Sequence, residues 1–433
     1  MSKTSQTITQ LRDYESRNVT FIEPGGTWPI VWERAKGVHV WDVEGQKHLD
    51  LTAAFGVAAA GHANPNVIRA GQKQMAKLLH AMGDVHPHAL KAQLARELSR
   101  LTYERWSKLQ PKASTGKVIF ANSGFEAVES ALKTALLATG RSGVIAFEDG
   151  YHGLGYGALN ATHRKHFRGP FRSQLREFAS FVKFPTSSEQ LAEIEGNIRQ
   201  LFHHTKISAI LVEPLQARGG INVPPPELLP LLRKLCDEHG ALLIADEIYT
   251  GFGRTGKWFA CEHSSVIPDL ICLGKALTGG FPLSACIGRA DLMDAAWPAS
   301  TGEAIHTSTF LGHPVGCAMA LAQISEIERL KLCERSEELG KFLLSELAAI
   351  KNSKLKIKQN ARGLGLMAGV ELNLPNGKPA TEAALTAIKM LLQRGFIFLP
   401  EGEHANVICF TPPLTISRTQ LTKAVAALAE VLP

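Results

Sequence analysis

Two ionisable residues, Asp246 and Lys275, stand at the ends of strongly apolar segments, where their side chains could take part in chemistry. Asp246 ends the segment 241–246, and Lys275 follows the segment 270–273. A lysine in this position is expected to point into a site, where desolvation lowers its pKa and makes its amine a better nucleophile towards a carbonyl group. Each residue could instead have a purely structural role. Lys275 could extend its amine to solvent at the end of a strand, and Asp246 could be a buried carboxylate that accepts hydrogen bonds from the backbone.

A third stretch, Ser123-Gly124-Phe125, leads from an apolar segment into a helical pattern. The first N–H groups of a helix lack internal partners and the helix dipole favours negative charge, so this turn could bind a phosphate group. Taken alone, Ser123 and Glu126 are better explained as a capping box. Together, a phosphate-binding turn, an acid that could pair with a ring nitrogen and a reactive lysine are what pyridoxal phosphate requires.

The stretch from Gly251 to Gly256 matches the dinucleotide-binding pattern GxGxxG in its letters. The residues after it do not form a clear helical pattern, and no second strand ending in an acid follows at the required distance. The hypothesis that the protein is a nicotinamide-dependent dehydrogenase depends on this match alone, so we do not favour it.

Strands and helices alternate through the middle of the chain and must position these residues. Short apolar segments, typical of parallel strands covered on both faces, lie at 117–121, 143–147, 208–213, 241–246 and 270–273. Amphipathic stretches such as 125–138 and 226–239 separate them. This alternation predicts a large α/β domain with a mostly parallel sheet.

The two ends of the chain have a different pattern. A hairpin is predicted from 38–42 and 48–51, a strand at 363–372, and helices at 314–330, 381–393 and 418–432. We expect residues 1–60 to join residues 313–433 in a smaller α+β domain, and residues 61–312 to form the large cofactor-binding domain.

Composition limits the classes of protein to consider. The 433 residues are 45% hydrophobic and 20% charged with a net charge of +7, as in a soluble globular protein, and this excludes disorder as the main state. Basic residues form no run, so no nucleic acid partner is expected. Apolar stretches are too short for a membrane span, and the first residues lack a signal-peptide pattern, so we expect a cytoplasmic protein. Seven cysteines without a CxxC pair indicate reduced thiols, and no spacing typical of metal ligands is present.

In their order along the chain, these motifs resemble the class III aminotransferases of fold type I, the group of 4-aminobutyrate, ornithine and other ω-amino-acid aminotransferases. The resemblance extends from residue 38 to residue 416. The stretches that carry it are the Ser-Gly turn, Gly61-His62-Ala63-Asn64-Pro65, Tyr151-His152-Gly153, Glu213-Pro214-Leu215-Gln216, Asp246-Glu247, Gly253-Arg254-Thr255-Gly256, Lys275 and His306-Thr307-Ser308-Thr309-Phe310.

The resemblance implies a pyridoxal 5'-phosphate enzyme that moves an amino group from an amine or ω-amino acid to a keto acid by a ping-pong Schiff-base mechanism. Lys275 would bind the cofactor covalently and then transfer protons, and Asp246 would pair with the protonated ring nitrogen. Glu213 matches a family carboxylate that forms an ion pair with an arginine while an ω-amine reacts. This carboxylate then moves away, so that the arginine can bind the α-carboxylate of the other substrate.

The remaining cofactor contacts are also implied by the resemblance. Tyr151 would stack on one face of the ring and Ile248 on the other, Gln216 would bind the ring hydroxyl, and His152 belongs to the same motif. The phosphate would be bound by the Ser123 hydroxyl and the backbone amides of Gly124 and Phe125. Thr309 would reach the phosphate of the neighbouring subunit, which implies a homodimer.

The sequence departs from the family pattern at two positions. Phe125 replaces a small residue or threonine, which preserves backbone contacts with the phosphate but removes a possible hydroxyl contact. Cys409 stands where an arginine normally precedes Pro-Pro-Leu, so the usual partner of Glu213 and of the substrate α-carboxylate is missing. Arg218 or Arg254 could substitute for it, or the enzyme could prefer substrates without an α-carboxylate.

Two other functions remain open at this point. An aminomutase or an amino-acid or lactam racemase of the same fold would need no keto-acid acceptor, which agrees with the missing arginine. A non-catalytic pyridoxal-phosphate-binding regulator is also conceivable, although no DNA-binding segment accompanies the acid and the lysine.

Overall fold

The computed structural model describes residues 2–23, 28–107, 115–350 and 357–432. Its strands are β1 (Trp32–Lys36), β2 (His39–Asp42), β3 (Lys47–Asp50), β4 (Gly116–Ala121), β5 (Gly143–Phe147), β6 (Ala179–Val182), β7 (Ile207–Val212), β8 (Leu242–Asp246), β9 (Leu270–Leu273), β10 (Ser284–Arg289), β11 (Lys358–Leu364), β12 (Met367–Asn373), β13 (Phe396–Ile397), β14 (Leu399–Glu401) and β15 (Val407–Phe410).

The α-helices are α1 (Lys3–Tyr14), α2 (Ala53–Gly56), α3 (Pro65–Lys77), α4 (Ala89–Ser99), α5 (Arg105–Ser107), α6 (Gly124–Thr139), α7 (Tyr156–Ala161), α8 (Lys165–Arg168), α9 (Leu191–His204), α10 (Leu228–His239), α11 (Ala290–Ala296), α12 (Pro314–Arg329), α13 (Leu332–Ala348), α14 (Thr381–Gln393) and α15 (Arg418–Val431). A π-helical turn (Arg100–Glu104) and 3-10 turns (Gly169–Gln174, Ser188–Gln190, Ala260–Ser264 and Lys275–Leu277) complete the helical segments.

A seven-stranded sheet in the order β4-β10-β9-β8-β7-β5-β6 forms the centre of the molecule. The strands from β9 to β6 pair in parallel, and β10 is antiparallel to both β9 and β4. The predicted mostly parallel sheet of an α/β fold is therefore confirmed. The sequence analysis missed β6 and β10; glycine and arginine at the end of β10 shorten its apolar run, so its pattern is weak.

Alternate residues of the central strands pack into different halves of the core. In β9, Ile271 and Leu273 belong to one apolar cluster, which includes residues of α10. Leu270 and Cys272 belong to another cluster, which includes residues of α6. Because successive side chains of a strand point to opposite faces, this partition shows that helices cover both faces of the sheet.

Two four-stranded sheets, β1-β2-β3-β13 and β11-β12-β15-β14, involve the two ends of the chain. The predicted β2–β3 hairpin is confirmed. The strand predicted at 363–372 is confirmed for residues 367–372, which belong to β12. Its start is wrong: a turn at Gly365, which has a φ of 56°, separates β12 from the antiparallel strand β11. Parallel pairing of β13 with β3 joins the N-terminal segment to the C-terminal part of the chain. The domain boundaries at 60 and 312 stay predictions.

The cysteines are all free, and all but Cys333 are buried. Within the described ranges, no helix combines the length and the apolar character needed to cross a bilayer. The cytoplasmic location stays a prediction.

The central sheet has one edge at which six strands end in the same direction. β4 has the same orientation as β9, because both are antiparallel to β10. The carboxyl ends of β4, β5, β6, β7, β8 and β9 therefore lie along this edge, where α/β proteins bind their ligands.

Candidate active site

A cavity of about 420 Å³ opens at this edge of the sheet. Its lining includes eight of the predicted site residues: Gly124, Phe125, Tyr151, His152, Glu213, Asp246, Ile248 and Lys275. It also includes five residues that the sequence analysis did not assign to the site or left as alternatives: Gly153, Leu154, Ala217, Arg218 and Tyr249. The structure thus brings together residues that lie more than a hundred positions apart in the sequence.

Lys275 lies in the turn that follows β9. Burial lowers the pKa of its amine to about 8, although the negative charges of Asp246 and Glu213 oppose this effect. The amine lies 4.1 Å from the centre of the Tyr249 ring. The backbone at Lys275 has a φ of 41°, a left-handed conformation that is unfavourable for a residue with a side chain. Strain of this kind is concentrated at functional sites, where the surrounding structure maintains it.

Asp246 ends β8 and is held by two hydrogen bonds. His152 Nδ1 lies 2.7 Å from its Oδ2, and the Ile248 backbone N–H donates to its Oδ1 over 3.1 Å. Burial lowers the pKa of His152, but its hydrogen bond to Asp246 and the charge of that carboxylate outweigh burial, so the net effect raises this pKa. Asp246 is thus oriented by neighbours and still faces the cavity beside Lys275.

The turn before α6 combines an oriented backbone with a free hydroxyl group. Glu126 Oε2 accepts hydrogen bonds from the backbone N–H groups of Asn122 and Ser123, at 2.7 and 2.9 Å. The Ser284 hydroxyl donates to the Ser123 carbonyl oxygen over 2.6 Å. The Ser123 hydroxyl oxygen itself is buried and has no hydrogen-bond partner among the described residues. A Cβ atom at Gly124 would lie 3.1 Å from the Ile248 side chain. Because glycine has no Cβ atom, the start of α6 can pack closely against Ile248 in the cavity wall.

The Phe125 side chain is accommodated by two glycines opposite it. A Cβ atom at Gly155 would lie 2.4 Å from Cδ2 of the Phe125 ring, and one at Gly153, which has a φ of 112°, would lie 2.3 Å from Phe125 Cβ. Gly155 therefore leaves the space that the ring occupies, whereas Gly153 leaves space for the start of α6 itself. The backbone of Phe125 keeps its place at the helix N-terminus, as predicted.

Glu213, directly after β7, fixes two loops at the cavity wall. Its Oε1 accepts a hydrogen bond from the Tyr151 backbone N–H at 3.0 Å, and its Oε2 accepts one from the Ala217 backbone N–H at 3.1 Å. Burial raises the pKa of Glu213, partly offset by the charge of His152. Within the described part of the chain, Glu213 forms no ion pair with an arginine, so both of its hydrogen bonds hold backbone.

Three predicted site residues lie outside the cavity lining: Ser123, described above, Gln216 and Thr309. Gln216 is buried; its amide nitrogen donates to the Glu148 carbonyl oxygen at 2.7 Å, and its amide oxygen accepts from Asn222 at 3.0 Å. Thr309 is exposed at the surface. Their predicted contacts with the ring hydroxyl and with a neighbouring subunit stay predictions.

Arg218 and Arg254, the two alternatives to an arginine at position 409, have different environments. Arg254 is 1% exposed and donates to the carbonyl oxygens of Leu366 and Pro412, so it supports the fold. Arg218 lines the cavity. Its place in the loop after β7 was visible in the sequence, but the direction of its side chain was not.

A family model described as Aminotransferase class-III matches residues 22–432. The chain is a class III aminotransferase. The predicted family, the fold class and the enzyme class are thereby confirmed. This aminotransferase catalyses the pyridoxal-phosphate-dependent transfer of an amino group.

Named relatives and solved structures agree with this assignment. The aminotransferase is 37% identical to the 5-aminovalerate aminotransferase DavT of Pseudomonas aeruginosa, over 99% of each chain. A transaminase from the marine bacterium Virgibacillus is 27% identical, with a TM-score of 0.89 over 99% of this chain and 98% of the other. The ornithine aminotransferase of Toxoplasma gondii is also 27% identical, with a TM-score of 0.85 over 100% and 95% of the chains. These similarities favour amino transfer over the racemase, aminomutase and regulator hypotheses.

The residues around the cavity fit the cofactor of this family. Pyridoxal phosphate has a phosphate group, a ring nitrogen and a reactive aldehyde carbon. The turn before α6 forms the predicted capping box of Ser123 and Glu126, and it offers the buried Ser123 hydroxyl group beside the first N–H groups of a 16-residue helix. Asp246 offers a carboxylate and Lys275 offers a buried amine in the same cavity.

Proposed function

We propose that Lys275, Asp246 and the Ser123–Phe125 turn bind pyridoxal phosphate and carry out amino transfer in this cavity. The observation that supports this proposal most strongly is the buried amine of Lys275, beside the Asp246 carboxylate and with a pKa lowered to about 8. When bound, the cofactor supplies an electron-accepting ring that stabilises negative charge on the substrate carbon.

Lys275 is suited both to attack a carbonyl group and to transfer protons. Near pH 8 the amine is present in its neutral and protonated forms in similar amounts, which is the condition for efficient general acid–base catalysis. We assign to Lys275 the transfer of a proton: it would remove the proton from the substrate carbon next to the nitrogen and deliver it to the cofactor carbon bonded to that nitrogen. In the second half of the cycle it would carry a proton in the opposite direction, onto the carbon of the acceptor.

Asp246 and His152 are proposed to keep a proton on the ring nitrogen. The carboxylate stabilises a positive charge at that nitrogen, which strengthens the electron-accepting character of the ring. His152 is a positioning residue: its hydrogen bond to Oδ2, together with the Ile248 N–H bond to Oδ1, fixes the orientation of the carboxylate.

The remaining contacts hold the phosphate and the ring. The Ser123 hydroxyl and the N–H groups of Gly124 and Phe125 are proposed to donate to the phosphate, which the helix dipole of α6 also attracts. Tyr151 and Ile248, both in the cavity lining, are proposed to contact the two faces of the ring.

The test of this assignment is Lys275→Ala. We expect the variant to lose the absorbance of covalently bound cofactor and to lower the rate of amino transfer by about 10²–10⁴-fold, because both nucleophile and proton carrier are removed. Lys341→Ala is the matched control, since Lys341 is exposed on α13. Transfer is measured as conversion of a keto-acid acceptor into its amino acid. Retention of the absorbance and of turnover in Lys275→Ala would exclude the assignment.

We also propose a homodimer in which Thr309 of each subunit contacts the phosphate bound by the other. Thr309 is exposed, and the nearby side chains of Ile305 and Phe310 are 69% and 53% exposed, an arrangement typical of an interface. Sedimentation equilibrium should give twice the mass of the chain. A fully active monomer would rule the dimer out as the minimum active unit.

A further inference from the structure

The Arg218 guanidinium group lines the cavity next to the loop backbone that is held in place by hydrogen bonds to Glu213. The Glu213 carboxylate binds the N–H of Ala217, the residue before Arg218, and so fixes the start of this loop. The Arg218 side chain is 33% exposed, and its Cζ atom lies 4.9 Å from the centre of the Tyr151 ring. Its positive charge contributes to lowering the pKa of Lys275, which places it within electrostatic range of the reacting amine.

Glu401, the last residue of β14, lies on the other side of Arg218. Its Oε2 is 3.7 Å from Arg218 Nε, and the side chain is 4% exposed. Neither of these two atoms has a hydrogen-bond partner among the described residues. Glu401 is not part of the cavity lining, so a molecule in the cavity meets the guanidinium group first and the carboxylate stays buried behind it.

A second arginine strengthens the positive charge at this wall. Arg164 donates a hydrogen bond to the Arg218 carbonyl oxygen. Burial raises the pKa of Glu401 to about 7, although the charges of Arg218, Arg164 and Lys275 all oppose this effect. Two guanidinium groups therefore lie within electrostatic range of Glu401, whose carboxyl group is partly protonated near neutral pH. Arg164 is also within range of Asp149 and Glu403, so Arg218 is the cation of this wall that an anion in the cavity can neutralise.

Cys409 does not provide an anion site of its own. Its side chain is buried in an apolar cluster that also contains Ala217 and Tyr249. The thiol lies 3.9 Å from the Thr411 hydroxyl. The cluster fills the space beneath the Arg218 loop, so the cation that faces the cavity comes from this loop and not from β15.

We propose that Arg218 binds a carboxylate group of the substrate, and that Glu401 is the counter-ion that holds Arg218 when the bound substrate has no carboxylate at that position. This inference rests on the proposed amino transfer and names the class of substrate group that the site recognises. The 3.7 Å ion pair with an unpartnered Nε is loose enough to be exchanged for the two parallel hydrogen bonds that a guanidinium group forms with a carboxylate. Glu401 acts through Arg218 and is a positioning residue.

The test compares amines that differ only by a carboxylate. The holoenzyme is mixed with L-alanine and ethylamine, which report on an α-carboxylate, and with 5-aminopentanoate and butylamine, which report on a distal carboxylate. The rate of the cofactor absorbance change gives kcat/KM for each half-reaction. Arg218→Gln should lower the ratio of kcat/KM for one acid to kcat/KM for its matched amine about 30-fold or more. The pair that changes identifies which carboxylate is bound.

Further variants separate recognition from folding. Arg218→Lys should recover part of the ratio, because it keeps the charge but loses the planar fork. Glu401→Gln should raise the ratio, because Arg218 then lacks its competing anion. The exposed Arg418→Gln, on α15, is the matched control and should leave all ratios within twofold. Binding of the unreactive dicarboxylate glutarate, measured by calorimetry on the holoenzyme, should weaken at least tenfold in Arg218→Gln.

An equal loss for acids and amines in Arg218→Gln, or unchanged glutarate binding, would overturn the assignment of Arg218. A wild-type enzyme that reacts with the amines and neither binds glutarate nor reacts with the acids would also overturn it, while amino transfer itself would stand. Absence of every half-reaction in the wild type would contradict the proposed function. The carboxylate assignment would then be decided by glutarate binding alone.

Discussion

The two ends of β8 and β9 carry similarly buried aspartates with different surroundings. Asp246 at the carboxyl end and Asp269 at the amino end are both 4% exposed. Asp269 binds Arg233 at 2.6 Å, Arg289 at 2.9 Å and the Leu243 backbone N–H at 2.8 Å. Asp246 has one histidine and one backbone N–H as partners and faces a cavity.

The two aspartates are equally buried, so the kind of partner is what distinguishes them. Arginine keeps its proton at any physiological pH, so the charges around Asp269 are fixed. The carboxylate of Asp246 instead raises the pKa of His152 and opposes the effect of burial, which lowers the pKa of the Lys275 amine to about 8. This difference agrees with the proposed function, in which Asp246 takes part in the chemistry and Asp269 supports the fold.

The largest effect on turnover in this comparison should come from Asp246→Asn. Asparagine keeps the size of the side chain and removes the charge, so we expect kcat to fall about 10²–10³-fold, as for loss of an oriented electrostatic partner. The pKa of His152 should fall as well, because the anion that raises it is lost; an NMR titration measures this directly. Wild-type turnover in this variant would show that the two aspartates have the same structural role.

A smaller effect is expected when the pH is changed. Only the neutral amine of Lys275 can attack a carbonyl group, so the rate at which apoenzyme binds pyridoxal phosphate covalently should rise tenfold per pH unit up to about pH 8 and then level off. The carboxylate of Asp246 raises this pKa, so the midpoint should move to lower pH in Asp246→Asn. Stopped-flow absorbance measures both profiles. A wild-type rate that still rises at pH 10 would mean that the amine is not desolvated.

The smallest effect on turnover is expected for Asp269→Asn. We expect kcat within about twofold of the wild-type value, because Asp269 does not line the cavity. The free energy of unfolding should fall by about 1.5–3 kcal/mol, because Arg233 and Arg289 lose their buried partner and keep only the exposed Asp237 and Asp291. Thermal unfolding of the holoenzyme and a parallel activity assay measure the two quantities. A loss of turnover similar to that of Asp246→Asn, with unchanged stability, would contradict the different roles assigned to the two aspartates.

The sequence predicted the parts of the site that depend on short segments. Asp246 and Lys275 could be identified because each directly follows an apolar strand, and parallel strands end at a common edge. The Ser123 turn was also recognisable, between an apolar segment and a helical pattern, and the family resemblance added the Ser123 hydroxyl as a phosphate ligand, which stays a prediction.

Features that depend on contacts between distant segments could not be predicted in this way. The position of Glu401 behind Arg218 depends on how β14 packs beside the loop after β7, and no local pattern encodes that contact. Gln216 lies next to Glu213 in the sequence, yet its amide binds Glu148 and Asn222 outside the cavity lining. The hairpin of β11 and β12 was missed because its turn contains a leucine within an apolar run.

The place of β10 in the central sheet has a consequence for the order of folding. β4 pairs only with β10 in this sheet, and the hydrogen bond between Ser284 and Ser123 joins residues 161 positions apart. During synthesis, β4 and the turn after it have no sheet partner until β10 has emerged from the ribosome. The phosphate end of the site is therefore completed late, and the growing chain cannot capture its cofactor until most of its length has been made.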